Sequence, residues 1–241
     1  MLATFCLRLA CGLIGSLSLF SPAQVNPRFY RIQFLIALGL SACALAALWP
    51  APRLVEVLVA IAILTSFVGS ILWSLDGAPF GRAVIALAFV ALSAALVATS
   101  DVPASTIAAF TSAVLLGTAT TAMLMGHSYL IAPSMSLTPL LNLLRGLFGA
   151  TLLRMSAAGV ALWSWTNAQS TVTLNDEVML WLPVRWLVGF AGPLILGYMA
   201  LQAAKIRSTQ SATGILYVVV ICCFLGELTS QLLTRTSHFN L

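Results

Sequence analysis

Eight apolar runs, each long enough to cross a lipid bilayer, occupy most of the sequence. A spanning helix needs about 20 mostly apolar residues. Backbone polar groups cannot stay unpaired in hydrocarbon, so runs of this kind must be helical. We therefore predict an all-α fold, a polytopic transmembrane helical bundle of about eight spans. The predicted spans are Leu2–Phe20, Phe29–Trp49, Leu54–Leu75, Gly81–Thr99, Thr106–Met125, Pro139–Trp165, Val178–Ala204 and Gly214–Thr234.

Charged residues make up only 7% of the chain and hydrophobic residues 61%, whereas ordinary soluble domains carry roughly 25% charged residues. So few charges cannot form a water-compatible surface, and no stretch is polar enough to be a sizeable soluble domain. We expect residues 1–241 to form a single integral membrane domain. We assign the net charge of +5 to topology and to contacts with anionic lipid headgroups. The lipid bilayer is thus an expected partner, and nucleic acid is not.

Arginine and lysine predict the orientation, because cytoplasmic loops of membrane proteins are enriched in them. The odd-numbered loops hold most of these residues, whereas the opposite side holds Arg53 and Arg235. We predict a bacterial inner (cytoplasmic) membrane protein with cytoplasmic odd-numbered loops and both termini outside the cytoplasm. Arg8, near the start of the first span, counts against this orientation. The basic residues of the odd-numbered loops are Arg28, Arg31, Arg82, Arg145, Lys205 and Arg207.

Three ionisable residues within predicted spans qualify best as candidates for function, because burial of a charged side chain in hydrocarbon is costly. Glu227 is well inside the eighth span, Arg154 is in the middle of the sixth, and Arg185 is seven residues into the seventh. Glu227 could carry protons or hydrogen-bond a ligand. It could equally form a structural ion pair with Arg154 or Arg185. The long stem of Arg185 would also allow it to anchor the helix at the membrane interface.

The segment from Met125 to Pro133 is the most distinctive local feature of the sequence. We expect the fifth helix to end near Gly126, so that His127 and Tyr129 lie in a turn at the membrane boundary. An imidazole and a phenol in that position could hydrogen-bond a quinone carbonyl or move protons to and from it. The alternative is a turn whose polar groups cap the fifth helix.

Several kinds of chemistry are not expected. The only histidines are His127 and His238, so a haem held by two histidines of the bundle is not expected. The five cysteines lie in apolar runs without metal-site spacing. We therefore expect no haem, no metal site and no covalently bound cofactor, and a quinone is the ligand of cofactor type that the polar residues could bind.

The final span carries a resemblance to a known class. Its segments Ser211–Tyr217 and Gly226–Leu228, together with the eight-span layout, resemble the haem-free membrane anchor subunits of dimethyl-sulfoxide-reductase and polysulfide-reductase type complexes. The resemblance implies a bundle that binds quinol, passes electrons to an iron–sulfur partner and works with other membrane-complex subunits.

Three functions remain open from the sequence. The first is a subunit of a redox or energy-converting membrane complex with a quinone, quinol or lipid-like ligand pocket near His127, Tyr129, Arg154 and Glu227. The second is a small-solute or proton-coupled transporter, in which Gly192-Pro193 would interrupt the seventh span. The third is a structural or assembly protein whose polar residues only hold helices together.

Overall fold

Long apolar helices form most of the described structure. The computed structural model describes residues 1–75, 80–100, 102–131, 136–168 and 176–237. Within these ranges it contains no strand, and eight helices or helix pairs are long and apolar enough to span a membrane. The predicted all-α transmembrane bundle is confirmed. The helices are α1 (Leu2–Ser16), α2 (Pro27–Leu48), α3 (Arg53–Leu72), α4 (Gly81–Ala98), α5 (Pro103–Ile131), α6 (Thr138–Ala168), α7 (Asp176–Trp186), α8 (Gly192–Lys205) and α9 (Thr209–Ser237).

Helix α5 forms the centre of the bundle. It contacts α1, α6 and α9. Of the residues in its most apolar 18-residue stretch, 72% are buried, against 28% for the corresponding stretches of α2 and α6. The small residues of α5 explain its central position, because small side chains allow neighbouring helices to approach closely. A Cβ added at Gly12 of α1 would lie 1.8 Å from the carbonyl oxygen of Ala113 in α5. The α1–α5 contact therefore depends on glycine.

The outward faces of the helices are apolar. Large hydrophobic side chains are exposed on every span of the described structure. A water-soluble protein does not expose so much contiguous apolar surface, whereas lipid tails solvate it. The bundle therefore fits an integral membrane protein in contact with the bilayer. Examples of these exposed residues are Leu64, Val90, Val160, Ile195 and Ile221.

Two helices differ from their predicted form. Helix α5 continues to Ile131, so the expected helix end at Gly126 is wrong and His127 and Tyr129 are helical. Gly126 is tolerated because it packs against the Thr213 side chain of α9. The rest of the distinctive segment, residues 132 and 133, lies outside the described residues.

The seventh span consists of two α-helices joined by a π-helical turn. The turn covers Leu187–Ala191 and connects α7 to α8, which begins at Gly192-Pro193. The π turn thus lies directly before Gly192-Pro193, where the sequence suggested an interruption, and helical hydrogen bonding continues through it. Because a π turn holds one more residue than an α turn, it changes the direction of the side chains that precede it.

Candidate functional site

Three arginines from three separate helices surround the carboxylate of Glu227 in α9. Arg8 of α1 donates a hydrogen bond to Oε1 of Glu227. Nη2 of Arg154, in α6, lies 3.6 Å from Oε2, and Nη2 of Arg185, in α7, lies 3.9 Å from the same oxygen. The side chain of Glu227 is 1% exposed. We call Arg8, Arg154, Arg185 and Glu227 the ion cluster.

Helix periodicity places Arg154 in the ion cluster. Thr151 and Ala158, one turn before and one turn after Arg154, are also buried, so this face of α6 packs into the bundle. Nη2 of Arg154 donates a hydrogen bond of 3.1 Å to Oγ of Ser230. Ser230 follows Glu227 by three positions on α9, so both partners of Arg154 lie on one helix face.

A glycine pair allows Arg185 to reach Glu227. A Cβ on Gly226 would lie 2.5 Å from the Cα of Gly189, which belongs to the π turn, and 3.2 Å from Nη1 of Arg185. The guanidinium also lies 4.4 Å from the centroid of the Phe190 ring, a cation–π distance. Arg185 has no exposed surface, so the interpretation of this residue as an interface anchor is wrong.

The ion cluster carries more positive than negative charge. Among the described residues, three guanidinium groups face one carboxylate, which leaves an excess of two positive charges within the ion cluster. All three guanidinium nitrogens of Arg185 lack a hydrogen-bond acceptor among the described residues. The Ser112 hydroxyl lies near the carboxylate without forming a hydrogen bond within the described structure. Because burying unbalanced charge is costly, the cluster favours electron-rich or anionic groups.

A polar cavity leads from one end of the bundle to Arg8. We call this cavity of about 320 Å³ the vestibule; it opens at the end that carries both termini. The side chain of Arg8 is 14% exposed, whereas the other three members of the cluster are almost completely buried. Arg8 therefore connects the cluster with the vestibule. The vestibule is lined by Met1, Thr4, Arg8, Leu96, Thr99, Ser100, Ser105, Ala109, Gln231, Thr234 and Arg235.

Gln231 supplies a further donor to the vestibule. Its side chain is 7% exposed, and its Oε1 accepts a hydrogen bond of 3.4 Å from the Thr4 hydroxyl. Its amide nitrogen has no hydrogen-bond partner among the described residues. A buried donor without an acceptor is costly, so the wall of the vestibule presents an unused N–H group beside Arg8.

The structure does not bring His127 and Tyr129 to the ion cluster. Gly126 packs against Thr213 of α9, and Thr213 precedes Glu227 by fourteen positions, which is about 21 Å along a helix. His127 is exposed on the outside of α5. The hydroxyl of buried Tyr129 donates to the carbonyl oxygen of Ser136. The two residues therefore lie at the end of the bundle opposite the vestibule.

Arg8, Ser112, Ser230 and Gln231 were not among the residues singled out from the sequence. For Arg8 a signal was present, because it is an arginine within an apolar run, the criterion that identified Arg154. It had been interpreted only as a topology signal. Ser230 and Gln231 belong to a polar patch that continues from Glu227 toward the helix end in the sequence, whereas nothing in the sequence distinguishes Ser112 from serines that hydrogen-bond their own helix.

No group of three or more His, Cys, Asp or Glu side chains in the described part of the chain could hold a metal ion. His238 lies outside that part. Comparison with models of known protein families gave no match, and neither curated proteins nor solved structures matched the chain.

Proposed function

We propose that the chain is a membrane subunit of a redox complex in a bacterial inner membrane and that it binds quinol or quinone at the vestibule and the ion cluster. The observation that carries the proposal is a buried carboxylate held by three arginines and connected with the aqueous phase through Arg8. Quinone carbonyl oxygens accept hydrogen bonds, and the guanidinium of Arg8 and the amide of Gln231 are donors on one wall.

The dimensions and lining of the vestibule suit a quinone ring. Leu96 and Ala109 supply apolar surface, and hydroxyl, amide and guanidinium groups supply polar surface. Pockets of this class hold a mostly apolar ligand and orient it through a few polar groups. A second cavity of about 210 Å³ lies one turn deeper on the same face of α1, lined by Cys11, Gly12 and Phe110 among others. Its apolar walls suit the first isoprene units of a tail.

The proposed reaction is the oxidation of quinol to quinone, with release of two electrons and two protons. The electrons pass to a redox partner of the iron–sulfur class, as the resemblance in the last span implies. Each proton leaves a quinol oxygen and reaches water in the vestibule by way of the Glu227 carboxylate, which acts as base. With both termini outside the cytoplasm, these protons are released on the outer side of the membrane.

Binding of short-chain quinones to the purified protein tests this proposal. We expect ubiquinone and menaquinone analogues with short tails to raise the melting temperature of the wild type. Gln231→Leu removes a donor from the vestibule and leaves the ion cluster intact. We expect it to weaken quinone binding about tenfold, which is the loss of affinity expected when one hydrogen bond is removed. Gln33→Leu is the matched control, because Gln33 is buried in α2 and outside the vestibule.

Two results would contradict the proposal. One is the absence of any quinone-dependent change in melting temperature at saturating concentration. The other is equal quinone affinity in Gln231→Leu and Gln33→Leu, which would place the ligand elsewhere. If the variants of the ion cluster alter stability alone, while no ligand binds, the cluster has the structural role of holding helices together.

A proton-coupled transporter of small anions is the second candidate. It is favoured by the excess of two positive charges in the ion cluster and by the π turn that interrupts the seventh span beside it, since interrupted helices line many transporter sites. Uptake of carboxylates or oxyanions into proteoliposomes under a proton gradient distinguishes this candidate. Gradient-driven uptake that Glu227→Gln uncouples would support transport, and no uptake would exclude it for the anions tested.

A further inference from the structure

A second group of polar side chains lies at the end of the bundle opposite the vestibule, around Arg82 at the start of α4. Arg82 borders two adjoining cavities. The larger, of about 730 Å³, extends between α1 and α4. The smaller, of about 520 Å³, is lined by Ser21, Trp73 and Phe80 among others. We call the larger cavity the chain cleft and the smaller one the head pocket.

The head pocket has buried hydrogen-bond donors that lack acceptors. Trp73 is 5% exposed and stacks on the fully buried ring of Tyr30, with ring centroids 4.1 Å apart. Neither the indole N–H of Trp73 nor the hydroxyl of Tyr30 has a hydrogen-bond partner among the described residues. Arg82 is close enough to Tyr30 to interact with its hydroxyl electrostatically. Arg82 and Trp73 therefore place two donors in the wall of the head pocket, with the Tyr30 ring stacked against Trp73, and buried donors require an acceptor.

The chain cleft provides apolar surface beside these donors. Its walls come from residues of α1 and α4 such as Ile14, Ile85 and Phe89. Gly15 of α1 leaves room for the Phe89 ring of α4, because a Cβ at this position would lie 2.8 Å from that ring. The cleft therefore offers an elongated apolar space that ends at a cationic donor group, and a long-chain amphiphile with an anionic head matches that combination.

We propose that the head pocket and the chain cleft bind one acidic phospholipid. Its phosphate accepts hydrogen bonds from Arg82 and Trp73, which line the head pocket, and one acyl chain lies in the cleft between α1 and α4. No acidic residue lines either cavity within the described structure, so a choline or ethanolamine cation has no partner there. Arg28 and Arg31 lie at the same end of the bundle, which also favours a lipid with net negative charge.

Lipid titration of delipidated protein tests the proposal. Dioleoyl phosphatidylglycerol and dioleoyl phosphatidylcholine are added to the protein in neutral detergent, and bound lipid is counted by native mass spectrometry. We expect phosphatidylglycerol to bind more tightly. Arg82→Gln removes the charge and should weaken its binding about tenfold. Arg53→Gln is the control, since Arg53 is an exposed arginine at the other end of the bundle.

A second pair of variants separates a lipid from a free phosphate ion. Ala86 lines the chain cleft, whereas Ala83, also exposed on α4, does not. Ala86→Phe should block the cleft and abolish phosphatidylglycerol binding, and Ala83→Phe should leave it unchanged. Inorganic phosphate, measured as a competitor, should displace the lipid only weakly.

Three outcomes would overturn the assignment. Equal lipid affinity in Arg82→Gln and Arg53→Gln would remove Arg82 from the site. Equal affinity for phosphatidylcholine would show that net lipid charge is not recognised. Phosphate binding as tight as lipid binding, or full lipid binding in Ala86→Phe, would show that the anion alone is recognised.

Discussion

Glu227 is the residue that balances charge in the ion cluster. Replacing it with glutamine would remove the carboxylate that Arg8, Arg154 and Arg185 share in the described structure. We expect Glu227→Gln to lower the free energy of unfolding by about 3–5 kcal/mol, the usual cost of leaving buried charge uncompensated. Chemical or thermal unfolding in detergent measures this change.

Glu56→Gln is the matched control for this substitution. Glu56 lies near the start of α3, and its Oε1 accepts a hydrogen bond of 3.3 Å from the Ala51 amide, an acceptor that glutamine retains. Arg8→Met adds a second comparison. It reduces the excess charge, so Arg8→Met combined with Glu227→Gln should cost less than the sum of the two single changes. Additive effects would contradict an electrostatic coupling between the two residues.

At the level of single residues, the sequence predicted which ionisable side chains are costly to bury in the membrane. It could not predict which side chains contact one another. Arg154, Arg185 and Glu227 were identifiable because each interrupts an apolar run. His127 and Tyr129 are close to one another in sequence and were expected to share the pocket with them. They do not, because helix phase and depth decide which side chains converge, and both are set by packing between helices distant in sequence.

At the level of the helices, the contact between α1 and α5 depends on the absence of a side chain at Gly12. Gly12→Ala would place a Cβ 1.8 Å from the backbone oxygen of Ala113, so the helices would have to separate. We expect a loss of about 1–3 kcal/mol of stability, as for other overpacked cores. Gly39→Ala in α2 is the control, because a Cβ there meets nothing within 4 Å. Equal melting temperatures for the two variants would argue against a tight α1–α5 contact.

The π turn supports a second prediction at the level of the element. Deleting Leu187 would turn the π turn into an α turn and rotate α7 by about 100° relative to α8. Arg185 would then point away from Glu227. We expect the deletion to lower the melting temperature strongly, whereas Leu187→Ala should change it little, because Leu187 is 67% exposed. A deletion no more destabilising than the alanine substitution would mean that the turn does not position Arg185.

The sequence predicted the positions of the membrane-spanning helices better than it predicted the residues at which those helices end. Spanning runs are recognisable because lipid requires both length and apolarity. The end of α5 was misplaced because Gly126 resembles a helix terminus in isolation, whereas contact with Thr213 supports it within the helix. Gly192-Pro193 marked the interruption of the seventh span, but the extra residue of the π turn leaves no comparable signature in the sequence.

For the whole molecule, the eight spans place both termini on one side, and the distribution of arginine and lysine predicts which side. We expect a C-terminal alkaline phosphatase fusion to be active in a bacterial host, and a C-terminal green fluorescent protein fusion to be dark. Fusions after Arg207, in the loop between α8 and α9, should behave in the opposite way. An active phosphatase at Arg207 together with an inactive one at the C-terminus would reverse the orientation. Arg8, which counted against it, is instead explained by its bond to Glu227.

The bond between Arg8 and Glu227 also constrains how the molecule is made. The two residues are 219 positions apart, and a ribosome adds about 5–20 residues per second, so the arginine is synthesised on the order of 10–40 s before its partner. During that interval the first helix has to be held by the insertion machinery, by lipid phosphates or by water. The last helix to be made therefore completes the fold. A nascent chain that stops short of it lacks Glu227, the carboxylate that Arg8, Arg154 and Arg185 share in the described structure.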